Sequence, residues 1–103
     1  MKKQKNNSFN ERCYEILKKV PKGKVVTYKQ IALALNSKAY RAVGNAMNKN
    51  PYSPIVPCHR VIKSDGGVGG FGSGVHKKIK MLRNEGVEIV NGKIDLRKYG
   101  FRL

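Results

Sequence analysis

Two capping boxes mark where helices begin in this chain. Ser8–Glu11 has the form Ser-x-x-Glu and Thr27–Gln30 has the form Thr-x-x-Gln, in which the first and last side chains satisfy free amides at a helix start. Apolar residues at helical spacing follow the first box, so we predict a helix over about residues 9 to 19. Pro21–Gly23 breaks this helix, and the second box opens a helix that continues to Leu35.

A third helix is predicted after the polar turn Asn36-Ser37. Its apolar stripe holds Ala39, Ala42, Val43, Ala46 and Met47. Its outward side holds Lys38, Tyr40, Arg41, Asn45 and Asn48. Two short helices joined in this way are typical of a helix-turn-helix. Gly44 costs about 1 kcal/mol inside a helix relative to alanine, which indicates a close approach there, either by another helix or by a nucleic-acid backbone.

Short apolar segments and glycines fill the middle of the chain. Val25-Val26 is predicted to be a short extended piece, and Ile55-Val56 a buried strand that ends at Pro57. Residues 64 to 74 are rich in glycine, but they lack the Gly-Lys-Ser/Thr of a phosphate loop. Nucleotide hydrolysis is therefore not indicated.

The last third of the chain predicts one helix and one hairpin. The helix runs from Val75 to Asn84, directs Val75, Ile79 and Leu82 inwards, and has Gly86 at its C′ position. The two apolar runs 87–90 and 93–96 flank Asn91-Gly92, which is a strong hairpin signal.

The predicted fold class is α/β and mainly helical. With 103 residues, we expect a small single domain over residues 8–103 that has a helix-turn-helix and a C-terminal β-hairpin. Residues 1–7 are predicted to be a basic, polar extension. They lack the apolar centre of a signal peptide, and no apolar run approaches the roughly 20 residues of a membrane helix. We therefore expect a cytoplasmic monomer without a membrane partner.

Charge is the strongest compositional signal. The chain has 22 Lys and Arg against 6 Asp and Glu, a formal net charge of +16, and no acidic residue lies between Glu15 and Asp65. A region of one sign attracts polyanions such as DNA. A lysine-rich surface that only maintains solubility is the alternative. A membrane surface is a weaker alternative, because no strongly amphipathic basic helix is present.

Cys58 and His59 form a candidate nucleophile and base. The thiolate is the reactive form of cysteine, and a thiol with a pKa of about 8.5 needs a positive or hydrogen-bonding neighbour to be available near neutrality. Arg60 and Lys63 supply charge nearby. On an extended chain, adjacent side chains point to opposite sides, so His59 would reach the thiol only across a turn or through water; an inert core thiol is the alternative. Cys13 is assigned to the apolar stripe of the first helix, and neither cysteine has the spacing of a zinc site or is expected in a disulfide.

Pro57-Cys58-His59-Arg60-Val61 resembles the active-site signature of the O6-alkylguanine-DNA alkyltransferases. Further segments of this chain are similar to that family in the same order and spacing, over about 65 residues: Gly23–Tyr28, Arg41–Met47, Asn50-Pro51 and Glu85-Gly86.

The resemblance implies a DNA-repair reaction in which Cys58 accepts the alkyl group of O6-alkylguanine from double-stranded DNA. Because the cysteine is consumed, the reaction would be stoichiometric and would need no cofactor or metal. His59, oriented by Glu85, would take the thiol proton through a water molecule, and Asn50 would brace the turn that holds the cysteine. An acid at the end of a helix also indicates a cationic or proton-donating partner.

The resemblance also implies how DNA is held. Tyr28 would donate to the flipped base and crowd its 3′ phosphate, and Arg41 would fill the gap that the base leaves, because chemistry on a base requires it to leave the duplex. Small residues would let the third helix enter the minor groove. The implied DNA-binding residues are Tyr28, Lys38, Ala39, Arg41, Ala42 and Gly44. The implied alkyl pocket consists of Met47, Val61, Val68, Gly69, Phe71 and Ser73.

The chain departs from the family pattern in its pocket and its size. Where the family commonly has Tyr-Ser it has Phe71-Gly72, with Ser73 one place later, so a phenol that could assist the leaving guanine is missing. Compactness and the tail Ile94–Tyr99 are similar to the alkyltransferase-like proteins, which bind alkylated DNA without repairing it and usually hold tryptophan in place of the cysteine. A recognition module that recruits other repair factors is therefore the alternative, and a basic helix-turn-helix regulator is a third possibility. The intact Cys58 favours transfer.

Overall fold

The computed structural model describes residues 8–52, 55–71 and 74–103. The predicted extension at residues 1–7 and the pocket residue Ser73 lie outside the described residues. The described elements, in chain order, are α1 (Phe9–Leu17), β1 (Val26–Thr27), α2 (Tyr28–Ala34), α3 (Tyr40–Asn48), a 3-10 helix (Cys58–Arg60), β2 (Val61–Ile62), α4 (Val75–Asn84) and α5 (Leu96–Tyr99). The fold is the mainly helical α/β domain that the sequence predicts.

Both predicted helix starts form, and the second is a complete capping box, whereas the first has only its N-cap hydrogen bond. Thr27 accepts a hydrogen bond from the Gln30 amide at 3.0 Å, and the Gln30 side chain accepts one from the Thr27 amide at 2.9 Å. In the first box, Ser8 accepts from the Glu11 amide at 3.2 Å, whereas the Glu11 carboxylate accepts from the Tyr52 hydroxyl at 3.2 Å. The starts of α1 and α2 are thus set by local chemistry.

The predicted third helix is α3, which packs on α1 and α2 and forms the second half of a helix-turn-helix. Its buried face is formed by Val43, Ala46 and Met47. Ala39, expected on the apolar stripe, is exposed. The reason is that α3 begins one residue later, so that Ala39 is the N-cap residue, with a non-helical backbone, and falls outside the helical periodicity.

A two-stranded parallel sheet joins the two halves of the chain. Val26 pairs with Val61 and Thr27 with Ile62. The strand expected at Ile55-Val56 is wrong, because these residues form a turn in which the Ile55 side chain is 79% exposed. The extended segment comes after the cysteine instead of before it.

The end of α4 has the geometry that Gly86 predicts. Gly86 has a φ of 92°, its amide donates to the Arg83 carbonyl and the Val87 amide donates to the Leu82 carbonyl, both at 3.0 Å. This pair of bonds is a Schellman motif. On the inward face, Leu82 is buried and Ile79 half-buried. The expectation that Val75 points inwards is wrong, because its side chain is 40% exposed.

The C-terminal hairpin is confined to its turn. Asn91 and Gly92 both have positive φ, and Val90 and Lys93 exchange two backbone hydrogen bonds of 3.0 Å. Pairing then passes to the glycine-rich loop, since the Ile94 amide donates to the Gly66 carbonyl at 2.8 Å. The longer strands expected on both sides of the turn do not form, and Leu96 already begins α5.

Apolar side chains form two buried clusters, one on each side of the sheet region. The first is built mainly from α1, α2 and α3 and includes Cys13 and Cys58. The second lies beneath α4 and the C-terminal turn. Across the described residues, the longest helix has 10 residues, and none is both long and apolar enough to pass through a membrane.

Gly66 provides a test of the contact between the glycine-rich loop and the C-terminal turn. It is buried, has a φ of 89°, and a Cβ there would lie 2.8 Å from the Ile94 carbonyl oxygen. Gly66→Ala should therefore lower the free energy of unfolding by about 1 to 3 kcal/mol, as measured by urea denaturation. Gly70→Ala in the same loop meets nothing within 4 Å and should change stability little. Equal stability of the two variants would contradict this account of the loop.

Candidate active site and nucleic-acid interface

Cys58 begins the 3-10 helix that leads into β2. Its amide donates to the Val56 carbonyl at 2.9 Å, and its side chain is only 6% exposed. Cys58 and His59 lie in one tight helical turn. Cys58 belongs to the first buried cluster, against which Tyr28 and Phe71 pack.

Asn50 braces the loop that precedes the cysteine. Its side-chain amide donates to the Val56 carbonyl at 2.8 Å, and its side-chain oxygen accepts from the Tyr52 amide at 2.9 Å. One side chain thus joins the two ends of the turn from which Cys58 emerges.

His59 and Arg60 both contact Glu85, the C-cap residue of α4. The Nε2 atom of His59 lies 2.8 Å from Oε2 of Glu85. Arg60 binds the same carboxylate with two hydrogen bonds, Nε to Oε1 at 2.9 Å and Nη2 to Oε2 at 2.7 Å, while its Nη1 donates to the Val20 carbonyl at 2.8 Å. Two hydrogen bonds between one guanidinium and one carboxylate fix the relative orientation of the two groups as well as pairing their charges.

The carboxylate of this cluster is ionised. Burial raises the pKa of Glu85, but hydrogen bonds from Arg60 and His59, and the positive charge of these groups, outweigh burial and hold the pKa at about 2. For His59, burial is the larger effect. It lowers the pKa despite the bond to Glu85, and the charges of Arg60 and Lys78 lower it further. Near neutral pH, we therefore take Glu85 as an anion and His59 as a neutral imidazole.

These charge states select one tautomer of His59. A carboxylate only accepts hydrogen bonds, so Nε2 must carry the hydrogen that is donated to Glu85, and Nδ1 must be unprotonated. Nδ1 is buried and meets no hydrogen-bonding group within the described residues. The unprotonated nitrogen is thus available as a proton acceptor on the residue next to Cys58.

Lys78 is a buried residue of the site that the sequence did not reveal. Its Nζ donates to the Val61 carbonyl at 2.6 Å and to the Gly70 carbonyl at 3.1 Å, and lies 5.7 Å from the centre of the Tyr28 ring. Burial lowers the pKa of Lys78 to about 8, and the electrostatic interaction with Cys58 partly offsets this effect. One sequence signal could have identified Lys78 as buried. It lies one helical turn before Leu82, so a helix that buries Leu82 also places Lys78 on its inward face.

The described residues of the implied alkyl pocket are divided between the two buried clusters and the glycine-rich loop. Met47, Val61 and Phe71 pack with Cys58 in the first cluster. Val68 belongs to the second cluster, and Gly69 borders Tyr28, because a Cβ there would lie 3.4 Å from the Tyr28 hydroxyl.

The outward side of α3 is bare. Lys38, Ala39 and Arg41 are exposed, and Ala42 is half-buried. Gly44 is also half-buried, yet a Cβ added there would meet nothing within 4 Å. In the described part of the chain, tight helix packing therefore does not explain this glycine.

The second cysteine lies in a different environment. Burial raises the pKa of Cys13 to about 11, against a lowering effect of Arg12. Both cysteines are free thiols. Over residues 8–52, 55–71 and 74–103, no three His, Cys, Asp or Glu side chains converge as metal ligands.

Comparison with known proteins gives consistent matches. The family model for 6-O-methylguanine DNA methyltransferase, DNA binding domain, matches residues 8–87. The bifunctional methyltransferase/endonuclease of Picrophilus torridus is 46% identical over 89 residues, which is 85% of this chain and 30% of that protein. The O6-methylguanine-DNA methyltransferase of Pyrococcus kodakaraensis is 48% identical, with a TM-score of 0.72 over 79% of this chain and 47% of that one.

A third similar protein matches along its whole length. S. pombe Atl1, solved in complex with damaged DNA containing O6-carboxymethylguanine, is 31% identical, with a TM-score of 0.81 over 100% of both chains. The chain spans 30 to 55% of the length of the curated relatives it matches. The match over residues 8–87 covers most of the sequence, and the chain belongs to the 6-O-methylguanine DNA methyltransferase family.

Proposed function

We propose that this protein repairs DNA by transferring an alkyl group from O6-alkylguanine in double-stranded DNA to Cys58, in a stoichiometric reaction. The observation that carries the proposal is the 2.8 Å contact between His59 and Glu85. It leaves an unprotonated imidazole nitrogen on the residue adjacent to a buried free cysteine, which is the arrangement of a nucleophile with its base.

The transfer step is a displacement at the alkyl carbon. The thiol proton passes to Nδ1 of His59 through a water molecule, and the Cys58 sulfur forms a bond to the alkyl carbon as the bond to guanine O6 breaks. Guanine leaves with the bonding electrons and takes up a proton from solvent, to which the His59 imidazolium then releases the thiol proton, and the cysteine ends as a thioether. The anionic Glu85 stabilises the imidazolium that forms, and the Lys78 charge favours the thiolate.

Phe71 supplies no proton to the departing guanine. Tyr28 places a phenol beside Gly69 of the implied pocket, since a Cβ there would lie 3.4 Å from its hydroxyl. Burial, and secondly the electrostatic interaction with Cys58, raise the pKa of Tyr28, so it remains a donor. We infer that Tyr28 holds the flipped base by its oxygen or nitrogen edge.

The bare side of α3 is the proposed DNA-binding face. Arg41 projects from it into solvent and would replace the flipped base in the stack. The open position at Gly44 leaves room for a sugar-phosphate backbone, and the net charge of +16 favours contact with phosphates.

A non-catalytic recognition module is the second candidate. The observation in its favour is the end-to-end similarity to S. pombe Atl1. A recognition module would need the same helix-turn-helix and the same flipped base, and it would leave the alkylated guanine unchanged. The fate of the alkyl group therefore distinguishes the two functions.

Intact-protein and peptide mass spectrometry after incubation with a duplex containing O6-methylguanine tests the transfer. We expect one added methyl group per chain, on Cys58. Cys13 is the internal control, because it is fully buried and its pKa is about 11. Cys58→Ser should bind the same duplex without being modified. Tight binding by the unmodified wild type, with the lesion intact, would favour the recognition module.

Glu85→Gln tests the proton acceptor. The uncharged amide can still accept from His59 but does not stabilise the imidazolium, so transfer should slow by about 10²-fold, the low end of general-base contributions.

The depressed pKa of Glu85 also contributes stability that is complete above pH 4.5 and is lost as the pH falls towards about 2. This is about 3 kcal/mol. The variant should lack that loss in acid unfolding titrations; an unchanged transfer rate would contradict the role of Glu85.

Gly44→Ala separates stability from DNA binding. Because a Cβ at this position meets nothing within 4 Å, alanine should raise the free energy of unfolding by up to about 1 kcal/mol through helix propensity. Affinity for duplex DNA should fall if a backbone approaches this point. Thermal unfolding and fluorescence anisotropy measure the two effects. Asn84→Ala, at an exposed position at the end of α4, is the control, and a greater stability of Gly44→Ala with unchanged affinity would exclude close approach at Gly44.

A further inference from the structure

A groove lies between α1 and the turn that precedes Cys58. It has a volume of about 490 Å³, which is within the usual range of binding clefts. Its lining residues come from α1 and from the described part of that turn, and they include Glu11, Tyr14, Glu15, Tyr52, Ile55 and Val56. The proposed transfer uses none of these side chains. We name this feature the carboxylate groove.

The groove exposes apolar and aromatic surface. Ile55 is 79% exposed, more than any other large hydrophobic side chain of the described residues. Tyr52 is 45% exposed, and its ring packs edge-on against Tyr14 with 5.7 Å between the ring centres. A lone exposed isoleucine is common, but this one shares a groove with an aromatic pair. Aromatic side chains within a polar rim are typical of surfaces that contact another protein.

The charge of the groove is opposite to that of the chain as a whole. The chain has only 6 acidic residues and a net charge of +16, yet Glu11 and Glu15 both line this groove. They are four positions apart on one side of α1, which separates such side chains by about 5 to 6 Å. Phosphates would meet carboxylates here, so the groove favours a cationic ligand over DNA.

Both carboxylates can accept further hydrogen bonds. Glu11 accepts from the Tyr52 hydroxyl at 3.2 Å through Oε2, and an ionised carboxylate has about four acceptor sites. Glu15 pairs at 3.2 Å with Lys18, which also lines the groove, but the two side chains are 66% and 48% exposed. Exposed pairs of this kind contribute little to stability. A cationic ligand can therefore bind both carboxylates without breaking a buried contact.

We propose that the carboxylate groove binds a segment of another protein that carries arginine or lysine side chains close to a large apolar one. The cations contact Glu11 and Glu15, and the apolar side chain lies against Ile55 and Tyr52. An extended segment fits this arrangement, because every second side chain lies on the same face, about 7 Å apart. The matching pattern is basic-x-basic-x-apolar.

The bound segment contacts the part of the chain that positions Cys58. Asn50 donates to the Val56 carbonyl and accepts from the Tyr52 amide, and the Val56 carbonyl also accepts from the Cys58 amide at 2.9 Å. The partner thus binds next to the reactive segment. The inference does not rest on alkyl transfer, since a recognition module would present the same groove.

NMR titration of the whole chain with three capped pentapeptides tests the groove. The probes are Arg-Ser-Arg-Ser-Leu, Arg-Ser-Arg-Ser-Ala and Glu-Ser-Glu-Ser-Leu. At physiological salt, charges farther apart than about 8 Å are screened, so the local carboxylates outweigh the repulsion of a basic peptide by the rest of the chain. The first peptide should shift the Tyr52 and Ile55 resonances. The second should bind about 10-fold more weakly, as expected for the loss of one buried leucine, and the third should leave both resonances unchanged.

Substitutions in the groove test its two parts separately. Ile55→Ser should weaken binding of the first peptide about 10-fold. The double variant Glu11→Gln and Glu15→Gln should weaken it about 5-fold, the size of two exposed ion pairs. The matched controls are Val90→Ser, at a side chain 59% exposed, and Glu88→Gln, at an exposed acid; both should bind like the wild type. Unfolding temperatures establish that all variants are folded.

Three results would overturn this inference. The first is the absence of shifts at Tyr52 and Ile55 with millimolar basic peptide, or equal losses in the groove and control variants. The second is a dimer of the free protein in sedimentation that Ile55→Ser abolishes, which would make a second copy the occupant. The third is weaker binding of duplex DNA by the groove variants than by the controls, which would assign the groove to the DNA interface.

Discussion

The paired contacts of one carboxylate organise the candidate site. Glu85 ends α4, whereas His59 and Arg60 lie in the tight turn after the cysteine, and the three side chains join two parts of the chain that are 25 and 26 residues apart. Arg60 also reaches the Val20 carbonyl, which ties the turn to the end of the first helical segment. Because Arg60 keeps Glu85 ionised, the hydrogen of His59 must lie on Nε2. A structural ion pair thus decides which imidazole nitrogen can act as a base.

Two buried cations lie in the part of the core that holds Cys58. Lys78 is fully buried and Arg60 is mostly buried, and the Glu85 carboxylate pairs with Arg60. Burial of a lysine is costly unless its hydrogens have acceptors, and two backbone carbonyls satisfy this need. The same bonds join β2 to the glycine-rich loop, so Lys78 positions this loop against β2.

Local signals in the sequence predicted the elements that local chemistry determines. The capping box at Thr27 and the C′ glycine Gly86 set helix ends through bonds between residues no more than five positions apart. The strand was misplaced at Ile55-Val56 because the choice between two apolar segments depends on pairing with Val26, which is distant in sequence. Lys78 could not be assigned because its acceptors lie on other segments. The contact of His59 with Glu85 was expected from family resemblance alone, since no periodicity relates the two residues.

The burial of Cys58 sets a geometric requirement on any DNA substrate. The sulfur belongs to a side chain that is 6% exposed, whereas the bare face of α3 lies outside the core, so a guanine stacked within a duplex on that face remains out of reach. The proposed transfer therefore requires base flipping. The cost of unstacking, a few kcal/mol, must be offset by contacts that exist only in the flipped state. In the proposed function, Arg41 and the residues beside Tyr28 supply these contacts, so the surface around the pocket would be as important to transfer as the thiol itself.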